Sequence, residues 1–588
     1  MSHRLGLILN LILLVFIAQN TMAAQTLPPA IQWIPQDAVI SLELSQPKAL
    51  LELFAGEKAT AAITALPLYQ KQASTPKFKE FLNLINYMEI TLDTDWRTGL
   101  AKLTGGGITF AICPEDMRIL IIDAEDEDML QKLHEILLDM ARSEAEKQSQ
   151  PNRVESTETD YEGVTAWTFN GEESHAIIGK RLVITNRPEG LKAVLELRDS
   201  NGATSLTSNS TYQTAKRAVK PDAVATIFVN LKPLMQIPNI SQFLEQQRQN
   251  PLMALFFAGI IETVRDSNLL AMGLHIKDNT LLCQLSVDGK TVDPTSPAAF
   301  AILGKSGDGI LPNLSVPRRI AALSLYRDLH DFYAAKDDLF PERTSGLIFF
   351  ENMMGIFFSG RDLTNEVLIE TEPEIRLVVA EQEYDPAIGT PQVKLPAFAL
   401  ILRLRNPEQF NEVAEEAWQK AVGLINFTRG QQAMPGLIID RPFQGETKFT
   451  VAYFSTSGIE DKTNLDQRFN FRPALAMPGE YLILSSTDGL ARDLIDTLSR
   501  KMKGTVNPPA EIHSLVEIEG GQLASILQAN RMTLVRGDMV KKGNTQEQAE
   551  TGIDMLISLV KFLDRAKLDI GVYEQLTRAF LELKLNLQ

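Results

Sequence analysis

Five phrases from the first half of this chain return in the second half in unchanged order, and nothing else in the sequence restricts the fold as strongly. Ile34-Pro35-Gln36-Asp37-Ala38 opens an alternating strand, Val39–Leu44, and Pro47 starts a helix to about Phe54. Val316-Pro317 likewise precedes a strand, Ile320–Leu325, and a helix after Asp328. Tyr161-Glu162-Gly163-Val164-Thr165 returns as Phe443-Gln444-Gly445-Glu446-Thr447. Arg181–Thr185 with Glu189-Gly190-Leu191 returns as Glu480–Leu484 with Asp488-Gly489-Leu490. Lys220-Pro221-Asp222-Ala223 leads into Val224–Val229 as Pro508-Pro509-Ala510 leads into His513–Ile518, and Val264–Val287 matches Leu563–Leu587. The offsets are 282 at Tyr161 and 299 at both Arg181 and Val264. Near-constant offsets in unchanged order are what a tandem duplication leaves, whereas solenoid repeats run at about 20–50 residues.

Each copy reads as short alternating strands joined by polar turns, interrupted by amphipathic helices. That pattern predicts antiparallel sheets covered by helices, an α+β fold in two tandem divergent copies. The copies divide into a larger unit at 31–200 and a smaller one at 211–290, a linker at 291–315, then 316–500 and 508–588. The helix Asp126–Lys147 carries Met129, Leu133, Ile136, Leu137 and Met140 on one face, with Asp126 placed to cap it. Ser149–Thr159, Glu381–Pro396 and Val540–Ala549 read as polar loops, and Ser455–Pro478 as a protruding insertion without counterpart in the first copy. The two copies are expected to share strand order, with Gly163 on Gly445 and Gly190 on Gly489 at matching turns where a side chain would clash or positive φ is needed.

Residues 1–24 read as a secretory signal: Arg4, then an apolar stretch Leu5–Ala18 too short to span a bilayer, then Ala23-Ala24 before Gln25. The longest apolar stretch elsewhere, Leu252–Ile261, has the length of a buried helix. No integral membrane span is therefore expected after signal removal, and the location is the periplasm or cell envelope. The net charge of −17 argues against nucleic acid, whose phosphates select clustered positive charge. Cys113 and Cys283, the two cysteines present, exclude a disulfide framework and leave open two buried thiols or one bridge.

Patterns that would carry chemistry are incomplete. Gly304-Lys305-Ser306 ends like a phosphate-binding loop, but Ala299 stands where the first glycine belongs. Ser74-Thr75-Pro76-Lys77 has the spacing of a serine acyl enzyme without its partner motifs. His3, His134, His175, His275, His330 and His513 are dispersed, with His134 on the polar side of its helix, so no metal site is assigned. The acids Asp123–Asp128 lack the glycine of a calcium loop and read as a capped helix start. Trp33, Trp96, Trp167 and Trp418 read as core. The clusters Leu252–Ile261 and Leu347–Phe358 hold Phe256, Phe257, Phe349, Phe350, Phe357 and Phe358, which fill cores or line an apolar cavity.

The phrase Pro35-Gln36-Asp37-Ala38 before a strand, the helical region Phe81–Leu92, a strand pair and Tyr161–Gly163 together resemble a family of uncharacterised exported bacterial proteins known only as a domain of unknown function. The resemblance runs over most of the chain after residue 30. It brings no catalytic, cofactor-binding or metal-binding residues, and the second copy departs from it at Arg318-Arg319. Three functional readings follow. The first is a non-enzymatic binding or scaffold module of the cell envelope. The second is a carrier of an apolar ligand in a Phe/Leu/Met-lined cavity. The third is a hydrolase whose Ser, His and acid converge only in space. The expected partner is an unknown protein or an apolar ligand, without cofactor.

Overall fold

The computed structural model describes residues 27–586 except 65–68, 71–72, 74, 148–155, 162, 170–172, 241, 244–249, 258–259, 290–298, 302–308, 502–510 and 574–575. The leader-like stretch 1–24 and the Gly304-Lys305-Ser306 phrase lie outside the described residues. The chain forms two compact units, Met1–Glu43 with Gly106–Gln213, and Leu44–Gly105 with Thr214–Gln588.

The first unit contains strands β1 (Ile40–Leu44), β2 (Gly107–Cys113), β3 (Met117–Asp123), β4 (Ser156–Tyr161), β5 (Val164–Phe169), β6 (Glu173–Ile178) and β7 (Arg181–Thr185). They pair in the order β1-β2-β3-β7-β6-β5-β4, antiparallel from β2 onward. Gly107, Thr109, Ala111 and Cys113 are buried and alternate with half-buried neighbours, so β2 shows one face to the core. The Pro188–Asp199 helix buries Leu191, Val194 and Leu195. The Glu127–Lys147 helix starts where expected, its Met129 N–H donating to Asp126 Oδ1 at 3.0 Å. Ser156–Tyr161 corrects the loop expected at Ser149–Thr159. It is an edge strand paired with β5 alone, and an edge strand needs no continuous apolar face.

The Pro35–Ala38 phrase is an anchor within this unit. Gln36 N donates to Thr204 O, and Ile34 and Ala38 are fully buried. Trp33 lies beneath the Arg181 guanidinium at 4.2 Å, and Arg181 forks onto Asp123 at 2.6 and 2.9 Å and onto Pro28 O.

The second unit contains β8 (Ala225–Asn230), β9 (Leu269–Lys277), β10 (Thr280–Val287), β11 (Arg319–Tyr326), β12 (Thr371–Ala380), β13 (Ala397–Leu404), β14 (Ile438–Asp440), β15 (Phe443–Gln444), β16 (Thr447–Tyr453), β17 (Ala474–Ala476), β18 (Tyr481–Ser485), β19 (Ile512–Glu519), β20 (Leu563–Tyr573) and β21 (Leu576–Leu585). These form one antiparallel succession, β8-β9-β10-β21-β20-β19-β11-β12-β13-β18-β17-β16, with β14 and β15 both on β16. Within it, β11-β12-β13-β18-β17-β16-β14 has the same succession as β1-β2-β3-β7-β6-β5-β4, and β19-β20-β21 the same as β8-β9-β10. Gly163 (φ 78°) and Gly445 (φ 57°) turn the corresponding hairpins in a conformation that L side chains resist.

Two expectations are corrected here. Ser455–Pro478 is not simply a protruding loop, because Ala474–Ala476 is a buried strand hydrogen-bonded to both β16 and β18. Three consecutive apolar residues show no alternation, which concealed a strand covered on both faces. Gly190 and Gly489 lie not at positive-φ turns but in the first turns of the helices after β7 and β18; a Cβ at Gly190 would crowd Thr185 and Met117 at 3.2–3.3 Å, as expected, whereas one at Gly489 meets open space.

Candidate functional site

The sheet of the second unit is apolar on both faces. On one face, Ala399, Ile401, Ala474, Ala476 and Ile483 pack densely against Leu490, Leu494 and Leu498 of the Asp488–Lys501 helix. The alternate residues point the other way: Leu400 opposes Leu484, Leu402 opposes Leu482, and Leu475 opposes Leu484. This grid of leucines is the floor of a cavity of about 840 Å³.

Two helices face that floor. The Thr344–Phe357 helix turns Leu347, Phe350, Met354 and Phe357 toward the cavity, the three-and-four spacing of one helical stripe, with Phe358 just beyond its end. The Pro407–Gln431 helix contributes Phe410, Ala414, Ala417, Trp418 and Ala421. The alanines explain the space: methyl groups at three successive turns leave unfilled the volume that leucines at those positions would occupy. Leu329, Phe332, Tyr333, Lys336 and Phe340 form one wall; Pro251, Leu255, Leu363, Val367, Leu368 and Thr371 complete the lining. Protein interiors hold few voids larger than a water molecule, whereas ligand sites of about 300–1,000 Å³ are ordinary.

Polar atoms are sparse in the lining. Thr371 Oγ1 donates to Leu368 O at 2.7 Å and is satisfied. Trp418 Nε1 is buried without a hydrogen-bond partner, whereas the buried Tyr333 hydroxyl lies against the Glu351 carboxylate. Lys336 Nζ pairs with Glu351 Oε1 at 3.3 Å. Burial and the nearby Glu351 carboxylate push the Tyr333 phenol well above its usual range, so it keeps its proton.

Behind this site a cation is buried without a carboxylate partner among its hydrogen bonds. Arg327 is 1 % exposed and donates to Leu255 O, Phe256 O, Tyr326 O, His513 O and Ser514 Oγ. Two of these carbonyls belong to the last turn of the Pro251–Phe257 helix as described. Arg327 thereby pins the helix that brings Pro251 and Leu255 to the cavity.

Of the phenylalanines singled out by sequence, Phe350, Phe357 and Phe358 line the cavity, and Phe256 packs in the adjoining cluster. Phe257 and Phe349 point outward, Phe349 being 69 % exposed. Trp33 is core, but Trp96 is exposed and Trp418 is cavity wall. The alanine spacing at 414, 417 and 421, opposite a helix rich in phenylalanine, was the available signal for the cavity.

Among the described histidines, His513 meets a serine, and His275 and His330 each meet a carboxylate. His513 Nδ1 meets Ser514 Oγ at 2.9 Å, but the other contact of that hydroxyl is Arg327, not an acid. Burial and Arg327 depress His513 to about 3. His275 Nδ1 meets Asp222 at 3.2 Å, and His330 Nδ1 meets Asp331 at 2.9 Å. His134 corrects the polar-face reading: its ring packs on Trp167, and its Nε2 meets His175 Nε2 at 2.9 Å. Burial, then the neighbouring His134, lowers His175 to about 4. Asp328, His330 and Asp331 form the one group of three candidate metal ligands found among the described residues. There Asp328 caps a helix and His330 pairs with Asp331. The acids before the Glu127–Lys147 helix are engaged, Asp123 by Arg181 and Asp126 by the helix N-terminus. Cys113 and Cys283 are both free thiols, and burial pushes Cys113 up to about 12.

A family model described as a protein of unknown function (DUF3352) matches residues 5–303, about half of the chain. The chain belongs to this family. The match contains the Pro35–Ala38, Phe81–Leu92 and Tyr161–Gly163 phrases but ends before Val316, so it is shorter than the resemblance read from the sequence. No curated protein matches the chain. Among solved structures it is similar to crystal form I of TP0453, at 10 % identity over 47 % of this chain and 84 % of that one, with a TM-score of 0.24. Crystal form III of TP0453 matches at 8 % identity over 48 % and 87 %, with a TM-score of 0.23. Among the described residues no helix is long and apolar enough to cross a membrane.

Proposed function

We propose that this chain is a non-enzymatic binding protein of the bacterial cell envelope that holds an apolar molecule in the cavity between the leucine floor and the Thr344–Phe357 and Pro407–Gln431 helices. One observation carries the reading: a half-open pocket of about 840 Å³ whose lining is almost wholly aliphatic and aromatic. Such a lining favours dry contents, because water finds too few hydrogen-bond partners there. A soluble reporter that fluoresces in apolar surroundings, N-phenyl-1-naphthylamine, tests it. The expected result is saturable uptake that is lost in Ala417→Trp and Ala421→Trp, which fill the cavity from its alanine side. Absence of saturable uptake, or uptake unchanged in both variants, overturns the proposal.

Export through a cleaved signal at 1–24 belongs to the same reading and is supported by the charged, apolar and small-residue order of that stretch. Sequencing the mature N-terminus from a periplasmic fraction should find Gln25 first. Descent of 31–290 and 316–588, with their larger and smaller units, from one duplicated ancestor is supported by the shared strand succession. A profile built from relatives of the first copy should then align to the second in unchanged order.

A further inference from the structure

The half-open pocket offers nothing to a polar group. Thr371 Oγ1 donates to Leu368 O at 2.7 Å, Lys336 Nζ pairs with Glu351 Oε1 at 3.3 Å, and the Tyr333 hydroxyl lies against that same carboxylate. Trp418 Nε1 is buried in the wall. The rest of the lining is hydrocarbon, from the floor of Leu400, Leu402 and Leu482 to Phe350 and Phe357 opposite. A polar group drawn into such a space gives up its water and gains no partner, which is unfavourable for a hydroxyl or an amide and prohibitive for an ion. The open side makes the opposite demand. A wholly apolar molecule lying there keeps part of its surface in water, and that part adds nothing to binding.

We infer that the ligand is an amphiphile whose hydrocarbon chain alone enters the pocket, while its polar head stays in water at the open side and is not recognised. The inference rests on the pocket being a binding site. It makes the protein selective for chain length and indifferent to head group, because the lining has only apolar contacts to give. At roughly 30 Å³ per methylene, the share of one water molecule in the liquid, about 840 Å³ exceeds what a twelve-carbon chain fills, so every carbon up to that length finds room. A methylene moved from water into hydrocarbon raises affinity about fourfold. Ala414, Ala417 and Ala421 leave the space that the chain takes, so they set the length that fits.

The test uses the full mature chain loaded with N-phenyl-1-naphthylamine and displaced by twelve-carbon ligands below their micelle concentrations. Dodecanoate, dodecyltrimethylammonium and dodecyl maltoside supply an anion, a cation and a bulky neutral sugar on one chain. About 0.5 M salt screens the net charge of −17, which would otherwise sort the heads from a distance. The three dissociation constants should agree within about threefold. Octyl, decyl and dodecyl maltosides should tighten by about tenfold per two carbons, somewhat less than full burial gives because the chain end at the mouth stays wet. Ala417→Leu should weaken dodecyl maltoside more than octyl maltoside, since a shorter chain has room elsewhere in the pocket. A wider spread among the heads, exclusion of the maltoside, affinity that does not rise with chain length, or equal losses for both maltosides in Ala417→Leu overturns the inference while leaving the pocket as a binding site. Failure of wild type to take up the reporter removes the binding site itself.

Discussion

Replacing Arg327 by Met should destabilise the second unit by about 4 kcal/mol, and the figure follows from its surroundings. The guanidinium makes five hydrogen bonds, at 2.9 Å to Leu255 O, 2.6 Å to Tyr326 O, 3.2 Å to His513 O, 3.0 Å to Phe256 O and 2.9 Å to Ser514 Oγ. Hydrogen bonds from a charged donor contribute roughly 1.5–3 kcal/mol each, which would sum to about 10 kcal/mol. Against this stands the desolvation of a cation without a paired carboxylate, several kcal/mol. Burial lowers Arg327 to about 10, so it still carries its charge at neutral pH. Methionine removes the desolvation cost but takes the guanidinium donors away from four carbonyls and from Ser514 Oγ, at about 1–3 kcal/mol for each group left unsatisfied. Urea unfolding followed by tryptophan fluorescence should show a midpoint lowered by about 1 M at unchanged slope, given slopes of a few kcal/mol/M. Arg327→Lys should recover less than half of the loss, since a point charge with three donors cannot span five acceptors. A methionine variant within about 0.5 kcal/mol of wild type would refute the reasoning. So would a lysine variant as stable as wild type.

Three further outcomes follow from the same structure. His513 titrates near 3 when folded against about 6.5 unfolded, so between those values the unfolded chain binds the extra proton and stability falls as pH falls. At pH 5 the loss is on the order of 2 kcal/mol, and His513→Gln should flatten the dependence of the urea midpoint between pH 6.5 and 4.5. Asp123→Asn leaves the Arg181 guanidinium buried over Trp33 without its counter-charge, and urea unfolding should register a loss of about 3 kcal/mol from the first unit. Gly445→Ala and Gly163→Ala place a side chain at φ 57° and 78° with open space around it, so conformation alone should cost about 1–2 kcal/mol each in thermal unfolding; no change in either would remove the turn argument.

Much of the local structure was legible in the chain. The alternation along Ile108–Cys113 and Arg118–Ile122 is a local signal for the paired strands β2 and β3, because a sheet with one buried face repeats every two residues. The Glu127–Lys147 helix and its Asp126 cap were legible because both depend on near neighbours. The strands that escaped notice had weaker patterns: Ser156–Tyr161 is an edge strand with a polar composition, and Ala474–Ala476 is buried on both sides and does not alternate. His134 was misplaced because its partner, His175, lies 41 residues away on another element.

The sequence by itself determined the α+β class, the order of elements and a supply of aromatic and aliphatic side chains around 347–358, since these depend on period and turn chemistry within a few residues. Only the tertiary structure decided that Leu400, Leu402, Leu475, Leu482 and Leu484 form one surface, and that Ala414, Ala417 and Ala421 stand across from it. A cavity is the volume left when distant side chains fail to meet. That volume depends on the separation between a sheet and the helices covering it, a distance no local pattern encodes.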